Sequence, residues 1–319
     1  NQNCVLSATY LRDAYELVYL RYLIGPFYYE PVFPEMESVK LDLKFREWLL
    51  PSEKNENKFE KLVKKLIPFF IPKSFLENFS SLQKKIISSQ LPKNVNVIFT
   101  SNKHFSDDVF KIWAAQEIDA KAKLVIGQHG GGPFHKYNGG HQYELDVADF
   151  AITTGNGNNA YPHLRDVGQI FHILKKGKWD PNGKALLVTG LMPRYVFDLR
   201  SMALAGEMLD YFKDQFLFYN SLPLDIQKKM IIRLYPEDYG WNQKQRWLER
   251  FPQVYLDEGK VSYSRSIKNC RLFISTYMAT SYNESLAANI PTVIYWNPDH
   301  WKWADSAETD FTALKSVGI

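Results

Sequence analysis

Cysteine is scarce: Cys4 and Cys270 are the only two, far apart in the chain. They make neither a disulfide framework nor a zinc site, and such sparse use fits a reducing compartment. Long apolar runs are missing as well. No stretch approaches the ~18 uninterrupted apolar residues a spanning helix needs, which excludes a helical membrane protein. An excess of one charge is nearly absent, with 39 basic against 35 acidic residues and a net charge of +4. That surplus is too small to argue for nucleic acid as a partner, and it suits an anionic small ligand or an acidic membrane surface. Several catalytic signatures are also lacking. There is no H-E-x-x-H, no zinc-spaced Cys/His set, no D-x-D and no G-x-S-x-G elbow. G-x-G-x-x-G is absent too, because Gly155-Asn156-Gly157 has no third glycine in register. No repeat of ~20–50 residues is visible. The chain opens on Asn1 without a charged and apolar leader pattern, so the expectation is a trimmed sequence and a cytoplasmic location.

What is present is ordinary globular material: 319 residues, 45% apolar and 23% charged, with 15% aromatic. At ~150 residues per domain that is about two domains. The first ninety residues read mostly as helix, including Leu6–Leu23 and the basic amphipathic stretch from Lys58 to Phe70, KFEKLVKKLIPFF. That stretch is either a surface helix with its lysines in water or an interfacial helix on an anionic membrane, with Pro68 limiting its run. From Val95 onward strands alternate with helices: 95–102, 124–128 and 149–154 as strands, with a helix over 107–119. The run KKGKWDPNGK (175–184) reads as a linker, after which strands are expected at 185–189, 230–234, 254–256, 272–275 and 292–296. Helices are expected at 198–216, 262–269 and 281–289. Such alternation predicts parallel α/β units. The expected organisation is a helical region over 1–90, one Rossmann-like lobe over 91–180 and a second over 181–319.

In open α/β sheets ligands bind beyond the carboxyl ends of the strands. Four polar clusters follow predicted strands. Gln128-His129-Gly130-Gly131-Gly132 offers unhindered backbone N–H groups and a histidine at a strand tip, suited to base or phosphate duty. In HQYELDVAD (141–149), Glu144 is the catalytic candidate, whereas Asp149, directly before a strand, suits a turn or cap. Glu144 and Asp146, two apart, would diverge by ~200° on a helix and form no paired site. In RLYPEDYGW (233–241), Arg233 can hold phosphate through two parallel N–H bonds or pair internally with Glu237 or Asp238. In STYMATSYNESLAANIP (275–291), hydroxyls precede a helix start, an anion site in principle. Ser281 with Glu284 also matches a capping box, which leaves Thr276, Thr280, Asn283 and Ser285 to face a ligand. Trp296, Trp301 and Trp303 can line a sugar-sized pocket or sit in the core.

Strand, Ser-Thr loop, then NESLAANIPTVIYW resembles the nucleotide-sugar half of GT-B glycosyltransferases. Together with QHGGG, HQYELDVADFAITTG and RLYPEDYGW it is similar, over roughly residues 95–319, to a family of surface-carbohydrate transferases associated with O-antigen or capsule biosynthesis. The resemblance implies two Rossmann-like lobes with an active site in the cleft between them, the acceptor on the first and the nucleotide on the second. It implies that Glu284 contacts ribose hydroxyls and that Ser281, Tyr282 and Asn283 lie near the phosphates. Arg233-Leu234-Tyr235-Pro236 looks like the strand-end H-P motif of CMP-sugar transferases, with Tyr235 where that motif has His. The implied donor set is then Arg233, Tyr235, Pro236, Thr276, Ser281, Tyr282, Asn283, Glu284 and Ser285. His129, Glu144 and Asp238 are the catalytic candidates, and Gly130, Gly131 and Gly132 form a phosphate or acceptor loop. No metal or cofactor is expected, only a nucleotide-sugar as substrate, with CMP or UDP favoured. The implied partners are that donor and a glycan or lipid-linked glycan acceptor, with peripheral contact at the inner membrane face. A UDP-sugar 2-epimerase of the same fold and a non-catalytic nucleotide- or glycan-binding module are the alternatives.

Overall fold

A computed structural model describes residues 3–9, 14–130, 141–154, 161–167, 180–196, 202–278 and 280–319. Two parallel sheets organise them. The first has the order β2-β1-β3-β4-β5-β6, built from β1 (Cys4–Ser7), β2 (Phe27–Tyr29), β3 (Val97–Thr100), β4 (Lys123–Gly127), β5 (Phe150–Thr153) and β6 (Leu164–Asp166). The second has the order β11-β10-β7-β8-β9, from β7 (Lys184–Val188), β8 (Met230–Arg233), β9 (Tyr255–Asp257), β10 (Cys270–Ser275) and β11 (Thr292–Ile294). All four pairings of the second sheet are parallel. The chain therefore has two Rossmann-like α/β sheets.

The helices, in chain order, are α1 (Ala14–Ile24), α2 (Lys58–Phe70), α3 (Phe79–Ser88), α4 (Lys103–Ser106), α5 (Asp108–Asp119), α6 (His141–Val147), α7 (Glu207–Ser221), α8 (Leu224–Gln227), α9 (Gln243–Arg250), α10 (Tyr263–Lys268), α11 (Thr280–Ala287) and α12 (Glu308–Ser316). Parallel strands covered on both faces need continuous apolar runs. The strand β7 supplies one, with Leu186, Leu187 and Val188 all buried. They pack with Ile232, Phe273, Phe212 and Trp247 in one core. Around the first sheet, Val5, Ile98 and Ile126 pack with Phe110 and Trp113 of α5. Asp107 caps α5 by accepting the Phe110 N–H at 2.9 Å. Each fully buried large apolar side chain contributes about 1.5–3 kcal/mol.

The segment 1–90, expected to be mostly helical, holds α1, α2 and α3 and also two short strands. Of these strands β1 pairs parallel with both β2 and β3. At four and three residues these strands are too short to show a period against the apolar helix that follows. Two compact units result, residues 1–127 with 148–150, and residues 128–147 with 151–319. Asp149 accepts the Leu124 N–H at 2.9 Å and pairs with Lys123 at 2.7 Å, the structural role its position suggested. Residues 175–179 of the expected linker, like Gly131 and Gly132, lie outside the described residues, and its last residue, Lys184, opens β7.

In the first unit one ion pair anchors the end of α2. Arg46 is fully buried and grips both oxygens of Glu77 in parallel, at 2.7 Å each. Its remaining nitrogen donates to the carbonyls of Pro68 and Ile71 at 2.7 and 2.9 Å, closing a helix end where Pro68 interrupts the normal pattern. The guanidinium holds the Glu77 carboxyl at about 2. A carboxyl depressed on folding contributes stability that is complete above its ordinary value and lost as pH falls through the folded value. Glu77→Gln should therefore lower the urea midpoint at pH 7 and flatten the acid limb between about pH 5 and 2. Denaturation at a series of pH values measures both, and an unchanged acid limb would contradict the assignment.

Candidate functional site

The strands of the second sheet end together, and polar residues emerge at that edge. Arg233 closes β8 and Asp257 closes β9 as register partners. Arg233 Nη1 donates to Asp257 Oδ2 at 2.5 Å, to the Val261 carbonyl at 2.9 Å and to Ser266 Oγ at 3.2 Å. Both side chains are about nine-tenths buried. Arg233 does pair internally, then, but with a carboxylate 24 residues away rather than with Glu237 or Asp238. All three partners fall on Nη1, and the guanidinium carbon lies 5.7 Å over the Tyr263 ring.

Beside this pair is a cavity of about 260 Å³. It is lined by Val188 and Thr189 at the outlet of β7 and by Tyr235, Tyr263 and Tyr277. Arg233 also lines it, as do Thr280, Ser281 and Glu284 of α11. The first backbone N–H groups of a helix have no intrahelical acceptor and carry its positive dipole end. The cavity thus combines anion-binding backbone, one cation, one carboxylate and aromatic faces. Burial, reinforced by the Glu284 charge, pushes the Tyr263 phenol far up; neutral, it donates to the Ser281 carbonyl at 3.0 Å. Burial also raises Tyr277 and Tyr235. These phenols are therefore neutral donors at physiological pH.

A buried relay fixes the loops around the cavity. The Gly190 N–H donates to Tyr211 Oη at 2.8 Å, Tyr211 to Thr276 Oγ1 at 2.5 Å, and Thr276 to the Val188 carbonyl at 2.9 Å. A Cβ on Gly190 would meet the Tyr277 ring at 3.0 Å, so glycine lets that ring lie against the β7 outlet.

Not every expected donor residue faces the cavity. Arg233, Tyr235, Pro236, Ser281 and Glu284 do. Thr276 is spent in the relay. Ser285 is fully buried between the Tyr282 carbonyl and Thr292 Oγ1. Tyr282 turns into the core near Trp296, with ring centroids 6.3 Å apart. Asn283 is half-buried and outside the cavity lining. Ser281 lies inside α11 rather than before it, so the S-x-x-E pattern is not a capping box here. The Asp238 carboxylate accepts the Asn242 and Gln243 N–H groups at 2.8 Å each and so serves the start of α9. Of the tryptophans, Trp301 is core, whereas Trp296 and Trp303 border a separate cavity of about 330 Å³ with Phe311. Sequence reasoning missed Asp257, Tyr263, Tyr277 and Tyr211. Only Asp257 left a trace, an acid at the end of a predicted strand followed closely by Gly259.

A second pairing lies after β4. His129 Nδ1 stands 3.6 Å from Glu144 Oε1, and the Glu144 side chain is 8% exposed. Gln128 holds the turn, donating to the Gly130 carbonyl at 3.2 Å and accepting from the Thr154 N–H at 3.1 Å. Gly130 has a φ of +68°, a left-handed value that favours glycine. Within the second unit, a Cβ there would come 3.3 Å from Thr280 Oγ1, so this turn and the start of α11 are neighbours. The two groups are close enough to form an ion pair when the ring carries its proton. Among the described residues no group of three His, Cys, Asp or Glu is placed to hold a metal ion.

The LIC12162 family transferase model matches residues 1–319. The chain belongs to that transferase family. No curated protein matches it. Among solved structures it is similar to Acinetobacter baumannii MurG, at 12% identity and TM-score 0.43, over 98% of this chain and 84% of that one. It is likewise similar to the glycotransferase of kitacinnamycin, at 10% identity and TM-score 0.44, over 100% of this chain and 84% of that one.

In this transferase, removing one partner of the Arg233–Asp257 pair strands a buried charge. Arg233→Leu should lower the unfolding free energy by about 3–5 kcal/mol, and adding Asp257→Leu should recover most of that loss. Urea unfolding of the three variants measures it. A double variant no more stable than the single one would deny the coupling.

Proposed function

We propose that this transferase is a GT-B glycosyltransferase that moves a sugar from a nucleotide-sugar donor to a glycan acceptor of the bacterial surface, such as an O-antigen or capsule intermediate, carried on a lipid at the inner membrane face. The observation that carries the reading is the cavity at the second sheet's strand ends, where the start of α11, Glu284 and Arg233 meet aromatic walls. Each part has a use in holding such a donor. Helix N–H groups and the guanidinium suit the phosphate or diphosphate of the donor. The Glu284 carboxylate suits vicinal ribose hydroxyls, and a tyrosine face suits a base. CMP- and UDP-sugars are the favoured donors, and neither metal nor cofactor is assigned a role.

The chemistry follows from the residues after β4. His129, oriented by Glu144, takes the proton of the acceptor hydroxyl as that oxygen bonds to the anomeric carbon of the sugar. The bond from that carbon to the phosphate oxygen breaks, and the nucleotide leaves with the electron pair, stabilised by Arg233 and the α11 dipole. The closeness of Gly130 to Thr280 supports bringing the two groups to one reaction.

A thermal-shift series with UDP, GDP, dTDP and CMP ligands tests the donor site. One nucleotide class at 100-fold its Kd should stabilise the chain by about 2.7 kcal/mol, several degrees in Tm. Glu284→Ala should remove most of that shift. No shift with any nucleotide would sink the reading. His129→Asn should keep the shift and lower kcat by about 10²- to 10⁴-fold. Full activity in that variant would remove the proposed base.

A further inference from the structure

The helix α2 is built the wrong way round for a globular surface. It is a regular 13-residue helix, started by a complete capping box between Asn57 and Glu60. Only Pro68 is buried and only Lys64 half-buried; these two face the protein, Lys64 through Glu56 and the Pro51 carbonyl and Pro68 through Arg46. At 100° per residue they lie on one side, and the apolar residues occupy an arc of about 160° on the other. Phe59, Leu62, Val63, Leu66, Phe69 and Phe70 thus all point outward, with Phe59 72%, Leu62 52%, Leu66 41% and Phe70 78% exposed. A soluble surface helix normally does the reverse, and an outward apolar stripe of this size marks a binding face.

The charges say what covers it. The helix carries four lysines, Lys58, Lys61, Lys64 and Lys65, against the single acid Glu60. Glu60 is engaged by the Asn57 N–H in the cap, and Glu56 by Lys64. Lys58, Lys61 and Lys65 are exposed; Lys58 and Lys65 border one edge of the apolar arc and Lys61 lies behind them. An outward apolar stripe bordered by exposed lysines is complementary to a sheet of acyl chains beneath anionic headgroups. Among the described residues no helix is long and apolar enough to cross a membrane, so such a helix lies in the surface plane. We propose that α2 docks this protein on an anionic lipid bilayer, with Leu62, Leu66 and Phe70 in the acyl boundary and Lys58, Lys61 and Lys65 at the headgroups. The buried Arg46–Glu77 pair, which holds the end of α2, sets the helix so that this face stays outward. The inference stands on the geometry of α2 and is independent of the sugar chemistry.

Co-sedimentation of the full chain with phosphatidylglycerol/phosphatidylcholine vesicles and with pure phosphatidylcholine vesicles is the test. The protein should bind the anionic vesicles and lose binding as salt rises. Leu66→Asp with Phe70→Asp should cut binding by at least about tenfold. Lys58→Gln, Lys61→Gln and Lys65→Gln together should weaken it by about fivefold per lysine on anionic vesicles only. Because all these side chains are exposed, the helical circular dichroism signal and Tm should not move. Wild-type protein left in the supernatant, or an aspartate variant that sediments like wild type, would overturn the proposal. So would a wild-type dimer that Leu66→Asp converts to a monomer, since the face would then belong to a second copy.

Discussion

Arg233 and Asp257 end neighbouring parallel strands in register, and the outlet of the second sheet is arranged around that pair. A buried guanidinium cannot be left without an acceptor, because desolvation of an uncompensated charge costs several kcal/mol. Asp257, the Val261 carbonyl and Ser266 all meet that demand on one nitrogen. The plane of the guanidinium is thereby fixed beside Tyr263 and at the cavity wall. What the pair contributes is position more than net stability, since an apolar pair of similar size can be as stable.

The same edge shows a division of labour among hydroxyls. Those of Thr276, Tyr211 and Ser285 are consumed in buried hydrogen bonds that tie loop to strand. Tyr235, Tyr263 and Tyr277 line the cavity, with the Tyr263 hydroxyl tied to the Ser281 carbonyl. Buried hydroxyls must be hydrogen-bonded, so the relay through Gly190 and Val188 is the condition for placing polar residues so close to the core. It also explains why strand-end position alone did not separate supporting residues from lining ones.

Parallel strands with apolar runs were readable from the sequence. Those expected at 185–189 and 230–234 appear as Lys184–Val188 and Met230–Arg233, and 95–102 contains Val97–Thr100. The helix expected over 198–216 is observed as Glu207–Ser221, because apolar spacing fixes a helix better than its ends. Cys4–Ser7 escaped because four residues carry too little period, and only pairing with β3 makes them a strand. At the site, Arg233 and Glu284 were legible as charges after strands. Asp257 showed only as an acid after a predicted strand, since nothing local links it to an arginine 24 residues earlier. Tyr263 and Tyr277 were hidden for a different reason. Their placement depends on tertiary packing, in the case of Tyr277 on the absence of a Cβ at Gly190. Likewise the Lys58–Phe70 pattern gave the amphipathic helix, but only the fold tells which side of it faces out.

The central claim is that the cavity between the end of β8 and the start of α11 receives a nucleotide-sugar. A crystal structure with a bound nucleoside diphosphate tests it most directly. The account predicts phosphate oxygens at the first backbone N–H groups of α11 beside Thr280 and Ser281, with the ribose hydroxyls on Glu284. A nucleotide ordered elsewhere, for example against Trp296 and Trp303, with this cavity empty, would contradict it.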